Sequence, residues 1–274
     1  MARKLALMIG VSVFVILLAR SGFPQFRNSH EYDALLNDLA SHRQPPADSE
    51  FIYARVRFTS HGPGRRNFPN FATCIPDDAQ TLGYRTCGWA HDYPLAEQHI
   101  LQIAHEATGI NTSRDSYVIV PLGSDDIYKY PYGLFSEVGE MTMTDNEVIH
   151  MREWLNRGGF GMADDFDGDN LEWFQDQMNK VFPGRSFVRL TVDHPIFKTF
   201  YTMPTLETKP PYEQRGNPDF YGLYDDNGRL CFIMDHNNDM GDFWEWIDDP
   251  HYDLAASTEG LRFGLDYFIY ALSH

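Results

Sequence analysis

The stretch Gly158-Gly159-Phe160-Gly161-Met162-Ala163-Asp164-Asp165-Phe166-Asp167-Gly168-Asp169 constrains the fold more than any other part of the chain. Two glycines stop a helix, a short apolar run follows, and the chain then turns through a carboxylate-rich segment before a second helical pattern begins. A short apolar run between helical patterns reads as a strand buried on both faces of a parallel sheet. In open α/β sheets the ligand crevice lies outside the carboxyl ends of the strands, which is where Asp164 and Asp165 would stand. The alternative is that these aspartates cap the following helix and fill Asx-turns.

The rest of the chain extends the same grammar. Phe51 to Phe58 is β-branched and aromatic and reads as a strand. Asp92 reads as an N-cap with Pro94 in the first turn, and Leu95, Ile100, Ile103 and Ala107 share one helical face before Gly109 stops it. His99 and His105 read as solvated residues of that helix. Tyr117 to Val120 and Tyr132 to Phe135 are strand candidates, the second running into Ser136-Glu137-Val138-Gly139. Thr144 and Glu147 form a capping box for a helix whose buried stripe is Val148, Met151 and Leu155. A helix from about Asn170 to Phe182 follows the focal strand. Tyr221 to Tyr224 and Arg229 to Met234 flank Asp225-Asp226-Asn227-Gly228, a hairpin signal, and an amphipathic helix from about Ser257 closes the chain. Strand and helix alternate, which predicts a mostly parallel α/β sheet with helices on both faces, plus a C-terminal hairpin and helix, in a single domain over 51–274.

Composition bounds the partners. A formal charge of -17 with 39 acidic residues argues against nucleic acid, whose affinity is built from lysine and arginine on phosphates. Arg3 and Lys4 precede an apolar run from Leu5 to Ala19 that Arg20 closes, the layout of a signal peptide or short signal anchor over residues 1–22. The domain is then expected to be anchored to the membrane through that segment and to face the periplasm or extracellular side, or to be secreted if the segment is cleaved. Residues 23–50, polar and rich in Ser, His and Pro with a short amphipathic piece at Glu31 to Leu39, read as a linker. Cys74 and Cys87 lie in a long loop, where an oxidising compartment would pair them as a disulfide, while Cys231 sits in an apolar run and reads as a buried hydrophobe.

The combination of Tyr53-Ala54-Arg55-Val56-Arg57-Phe58, Asp92-Tyr93-Pro94, Arg157-Gly158-Gly159-Phe160, Ala163-Asp164-Asp165-Phe166, Asp193-His194-Pro195-Ile196-Phe197 and Asn237-Asn238-Asp239-Met240-Gly241-Asp242 resembles the bacterial domain-of-unknown-function family four-one-five-nine. The resemblance runs from about Phe51 to the C-terminus and implies an exported or membrane-anchored domain with a flavodoxin-like, class I glutamine-amidotransferase-like fold. It implies no established reaction. Such domains are often encoded beside MoxR-type ATPases and von Willebrand-type proteins, so the resemblance implies a role in envelope assembly or complex formation. Amidotransferases place a cysteine nucleophile at the sharp turn after a strand, and here that turn, near Asp164, Asp165 and Phe166, holds neither cysteine nor serine. Cys231 lies in a different element, so thiolate chemistry is not expected.

Three chemistries remain. Asp165, Asp167 and Asp169 alternate as the first ligands of a Ca²⁺ loop do, with Asp176 at the twelfth place, although Asn170 stands where such a loop wants glycine. Asp235, Asn237 and Asp239 repeat that spacing without improving it, and cap- and turn-forming aspartates explain both runs better. Paired carboxylates could hydrolyse a carbohydrate or peptide-like substrate, with Asp164 or Asp165 acting beside Asp239, Asp242 or Glu137, or with His194 or His236 as base. The reading placed first is binding without catalysis, in a crevice lined by Glu137, Asp164, Asp165, Phe166, Asn237, Asn238, Asp239 and Asp242, with Phe243, Trp244 and Trp246 nearby. Its ligand would be a polar small molecule or an envelope protein, and no cofactor is expected, Ca²⁺ being the alternative.

Overall fold

The structure is a computed structural model and describes residues 29–60, 88–208 and 216–274. The Leu5 to Ala19 run and the Cys74 and Cys87 pairing lie outside the described residues. Among the described residues no helix is long and apolar enough to cross a membrane.

Among the described residues seven strands form one sheet: β1 Tyr53–Arg57, β2 Tyr117–Pro121, β3 Tyr132–Ser136, β4 Phe160–Phe166, β5 Val188–Arg189, β6 Asp219–Tyr224 and β7 Leu230–His236. Their order is β2-β1-β3-β4-β7-β6-β5. The first five in that order are parallel neighbours, while β6 runs antiparallel to β7 and β5 to β6. This is the expected mostly parallel α/β sheet carrying a C-terminal hairpin. β3, β4 and β7 are almost wholly buried, as strands covered on both faces must be.

The helices are α1 Ser29–Ser41, α2 Leu95–Thr108, α3 Asp145–Asn156, α4 Asn170–Val181, α5 Met240–Glu245 and α6 Leu254–Ser273. Alternation along β3 shows how they divide between the faces. Tyr132 packs its ring edge-on against Phe268 of α6, with centroids 4.8 Å apart. Phe135 points the other way, to Trp154 of α3 at 6.0 Å. Residues three apart on a strand face opposite sides, so α6 and α3 cover opposite faces. Trp154 also donates its indole N–H to the Tyr130 carbonyl at 2.8 Å, which satisfies the polar atom of an otherwise buried ring.

The caps follow the local chemistry. Thr144 and Glu147 make the reciprocal capping box that starts α3, and Gly158, with φ 107°, ends the turn after it in a conformation few other residues adopt. Part of the segment expected as a linker packs on the domain. Leu35 of α1 is fully buried, Tyr93 donates its hydroxyl to Asp38, and Arg43 bonds the Tyr117 carbonyl at 3.2 Å and the Asp115 side chain at 3.0 Å.

Candidate functional site

The carboxyl ends of β1, β3, β4 and β7 open on one edge of the sheet. Glu137 follows β3, Asp164 and Asp165 lie in the last turn of β4, and Asn237, Asn238 and Asp239 follow β7. His91 and Asp92 arrive from a short turn of 3-10 helix, Gly88–Ala90, that precedes α2. Five non-glycine residues among those described have left-handed φ, and four of them are Asp92, Glu137, Asp165 and Asn237. Strain of that kind gathers where surrounding structure holds side chains in set directions. The register of β4 against β7 shifts between Ala163 and Phe166. Such an irregularity re-aims side chains, and it lets the adjacent carboxylates of Asp164 and Asp165 serve different neighbours.

Asp164 faces the start of α5 and accepts the amide protons of Met240 at 2.9 Å and Gly241 at 2.7 Å. Asp165 faces His91, and its Oδ2 forms a short hydrogen bond with His91 Nδ1. The other imidazole nitrogen, Nε2, lies 3.8 Å from Asp92 Oδ1. Ligand-type atoms of His91, Asp92 and Asp239 all lie within 4.8 Å of one another, as do those of His91, Glu137 and Asp165, and those of Asp92, Asp242 and Glu245. One connected cluster of six carboxylates thus surrounds a single imidazole. Gly241 is required by the close approach: a Cβ there would lie 2.0 Å from Asp92 Oδ2.

A buried cation supports this cluster from below. Arg55 of β1 and Glu97 of α2 pair at 2.6 Å with both side chains fully buried. The same guanidinium donates Nη1 to the carbonyls of His91 at 2.7 Å and Trp89 at 3.3 Å, fixing the segment that carries the imidazole. Glu140 takes the Gly88 amide at 3.2 Å from the other side.

Crowding of acids out of water governs the electrostatics. Burial pushes the Asp92 carboxyl up to about 7, Glu137 up to about 8, Glu140 up to about 7 and Asp242 up to about 10. Burial, with repulsion from Asp239, also holds Asp164 and Asp165 well above the usual carboxylate range. Burial opposes the charge on His91, but the carboxylates of Asp92 and Asp165 outweigh it and raise its basicity well above that of a free imidazole. The cluster can therefore present a carboxylate-held imidazolium or a protonated carboxyl as acid, an ionised carboxylate as base, or a set of oxygen and nitrogen ligands to a cation.

Of the residues expected at the site, Glu137, Asp165, Asp239 and Asp242 fall in this cluster. The others have different roles. Phe166 packs between Phe174 and His236. Asn237 ties loops together, accepting from the Gly168 amide and donating to the Asn217 carbonyl, each at 3.0 Å. Asn238 is fully buried, with neither amide atom hydrogen-bonded. The alternating Asp165, Asp167 and Asp169 do not converge: Asp165 turns to His91 while Asp169 is exposed at the start of α4. His194 accepts the Ile196 amide and meets the Tyr224 hydroxyl, both at 3.2 Å. Tyr224 pairs with Leu230, the first residue of β7, so His194 belongs to the opposite edge of the sheet. His236 bonds the Gly168 carbonyl at 3.0 Å. Cys231 is free and buried, and burial pushes its thiol up to about 12.

His91, Asp92, Glu140 and Glu245 were not anticipated. Asp92 does not cap α2 with its side chain: Pro94 is the N-cap residue, and Asp92 contributes only its carbonyl, to the Ala96 amide at 3.0 Å. The available signal was the adjacent His-Asp pair just before a helix, placed by the order of elements on the ligand-binding edge of the sheet.

No curated protein matches the chain. The family model described as a domain of unknown function, DUF4159, matches residues 80–272, which include every member of the cluster. The chain belongs to the DUF4159 family.

Proposed function

We propose that this domain is a hydrolase that acts on a polar carbohydrate- or peptide-like substrate at the carboxyl edge of its sheet. The observation that carries the reading is the hydrogen bond between His91 Nδ1 and Asp165 at the centre of a carboxylate cluster. An imidazolium stabilised by carboxylates is suited to give a proton to the leaving group, and a neighbouring carboxylate whose basicity burial has raised is suited to take one from water. Glu137 and Asp92 are the nearest groups for that second role. So acidic a site repels anionic substrates and favours neutral or cationic ones.

The scaffold is proposed to be flavodoxin-like and related to class I glutamine amidotransferases. What supports this is the order of the parallel strands, β2-β1-β3-β4-β7, which matches the 2-1-3-4-5 order of flavodoxin-like sheets. With Cys231 buried in β7, the amidotransferase nucleophile has no counterpart among the described residues. The proposed setting is the cell envelope, reached through the Leu5 to Ala19 segment.

The test is turnover by the full chain. It is incubated in ¹⁸O-water with peptide and glycan fragments of the envelope, and the products are read by mass spectrometry. Cleavage with one ¹⁸O in the fragment that gains the water oxygen and none in the leaving fragment, reduced at least ~100-fold in His91→Ala, is the expected result. Tight binding of such a fragment with no ¹⁸O incorporation would overturn the hydrolytic reading and favour a ligand- or partner-binding domain.

A further inference from the structure

We propose that the cluster is a metal centre, in which His91 Nε2, Asp92 Oδ1 and one carboxylate oxygen of Asp239 hold a divalent cation of the Mn²⁺ or Zn²⁺ type. This deepens the hydrolytic reading of the same site and rests on it for the chemistry, though not for the geometry. With a cation held by Nε2 and Asp92, those two groups would be ligands, and proton transfer would fall to metal-bound water and Glu137.

Two independent observations converge. The first is placement: one imidazole and two carboxylates bring ligand atoms within 4.8 Å of one another. The second is an unmet need. The Asp92 side chain is 1% exposed, and its Oδ1 has no hydrogen-bond donor. A buried carboxylate oxygen without a donor is not compensated by hydrogen bonding for the hydration it has lost. That same atom faces His91 Nε2 across 3.8 Å, too far for a hydrogen bond. Two ligands each about 2.1 Å from one ion stand roughly 3–4 Å apart.

The choice of nitrogen follows from the other side of the ring. Nδ1 is engaged by Asp165. A metal-bound histidine characteristically gives its second ring nitrogen to a carboxylate, which fixes the tautomer and strengthens the ligand. Asp165 is accordingly a positioning residue, and Nε2 is the ligating atom. Arg55 holds the His91 backbone from beneath through its carbonyl.

The donor set selects the ion. Ca²⁺ and Mg²⁺ take oxygen ligands, whereas an imidazole with two carboxylates suits Mn²⁺, Fe²⁺ or Zn²⁺. Three protein ligands leave a position for water, as catalytic metal sites do, and the ion would lower that water's pKa.

The experiment is calorimetric titration of the chelator-treated full chain with MnCl₂, ZnCl₂ or CaCl₂ alone. One saturable Mn²⁺ or Zn²⁺ site per chain is expected, with Ca²⁺ at least ~100-fold weaker. Asp92→Asn and Asp239→Asn should abolish saturation, and Asp165→Asn should weaken it ~10–100-fold. Circular dichroism of each variant checks that it is folded, and pulsed EPR of the Mn²⁺ complex should show an imidazole nitrogen that disappears in His91→Ala.

No saturable binding by the wild-type chain overturns the proposal, as does equal affinity for Ca²⁺. Binding lost in Glu137→Gln but kept in Asp92→Asn overturns the ligand assignment. Chelator-insensitive turnover without metal binding would sink this inference and leave the hydrolytic reading standing. Metal binding without turnover would do the reverse.

Discussion

Glu97→Gln separates what holds the site from what works in it. In the native protein Arg55 Nε meets Glu97 Oε1 at 2.6 Å, with neither side chain exposed to water. The pair is not a fork: Arg55 Nη2 and Glu97 Oε2 each lack a hydrogen-bond partner. Glutamine keeps the shape and an oxygen that can accept from Nε but removes the negative charge, leaving a buried guanidinium with only neutral acceptors, that amide oxygen and the carbonyls of Trp89 and His91. Breaking a buried pair by neutralising one member costs about 3–5 kcal/mol. For a domain of this size that lowers Tm by roughly 6–20 °C. The assay is urea unfolding followed by tryptophan fluorescence, with an unchanged m-value as the check on compactness. The double variant Arg55→Met/Glu97→Leu fills the space with apolar atoms and should recover most of the stability, since a buried pair and its hydrophobic replacement are often near equal. It should not recover the site, because the anchor on the His91 carbonyl is gone. A loss below ~1 kcal/mol in Glu97→Gln would refute the reasoning. A double variant with native metal affinity would refute it as well.

Three other outcomes can be checked. The carboxyls of Asp92, Glu137 and Glu140 titrate near 7 to 8 in the fold because of burial and near ~4 when unfolded. The native state thus keeps protons that the unfolded chain has released, so the Tm of chelated protein should be highest at mildly acidic pH and fall as pH rises through 7 to 8; a Tm that climbs over that range would contradict the assignment. Gly241→Ala sets a methyl 2.0 Å from Asp92 Oδ2, and should weaken metal binding by more than it lowers the urea midpoint; equal affinity in the two proteins would show that the contact is unimportant. Asp164→Asn exchanges a carboxylate that accepts two backbone amides for a group with one acceptor, and should lower stability by about 1–3 kcal/mol in denaturant titration. Unchanged stability would show that Asp164 does not anchor α5.

The framework was legible because its signals are local. Apolar runs at Tyr132 and Phe160 mark strands buried on both faces, and the Thr144–Glu147 capping box starts α3 where its residues say it should. α5, of six residues, and β5, of two, are too short for periodicity to register. Four of the cluster's seven residues were legible for a topological reason: Asp165 lies at the end of a parallel strand, and Glu137, Asp239 and Asp242 follow such ends, where sheets of this kind bind ligands. His91 and Asp92 were hidden because they precede a helix, and an aspartate two residues before a proline imitates a cap. The left-handed backbone at Asp92, φ 63°, turns the side chain to the cluster, and no spacing rule reveals a dihedral angle. His194 failed for the complementary reason: sequence places it beside a strand without saying at which end.

The contrast between Asp164 and Asp92 is what supports the proposed ligand role of the cluster. Both are carboxylates almost out of water, at 1% and 2% exposure. Asp164 has two amide donors, one for each oxygen, and joins β4 to α5, so its burial is compensated within the chain. Asp92 has one oxygen without a donor, lies against the backbone of Gly241, and stands among acids that raise one another's affinity for protons. Apolar residues of similar volume would hold the same backbone at lower cost. A sequence that keeps Asp92, Asp239 and Asp165 around one imidazole carries a local destabilisation that folding alone does not explain, and strain of this kind belongs to sites that await a ligand. A divalent cation would convert that repulsion into coordination. The acidity of the cluster and the unpartnered Asp92 oxygen then have a single cause.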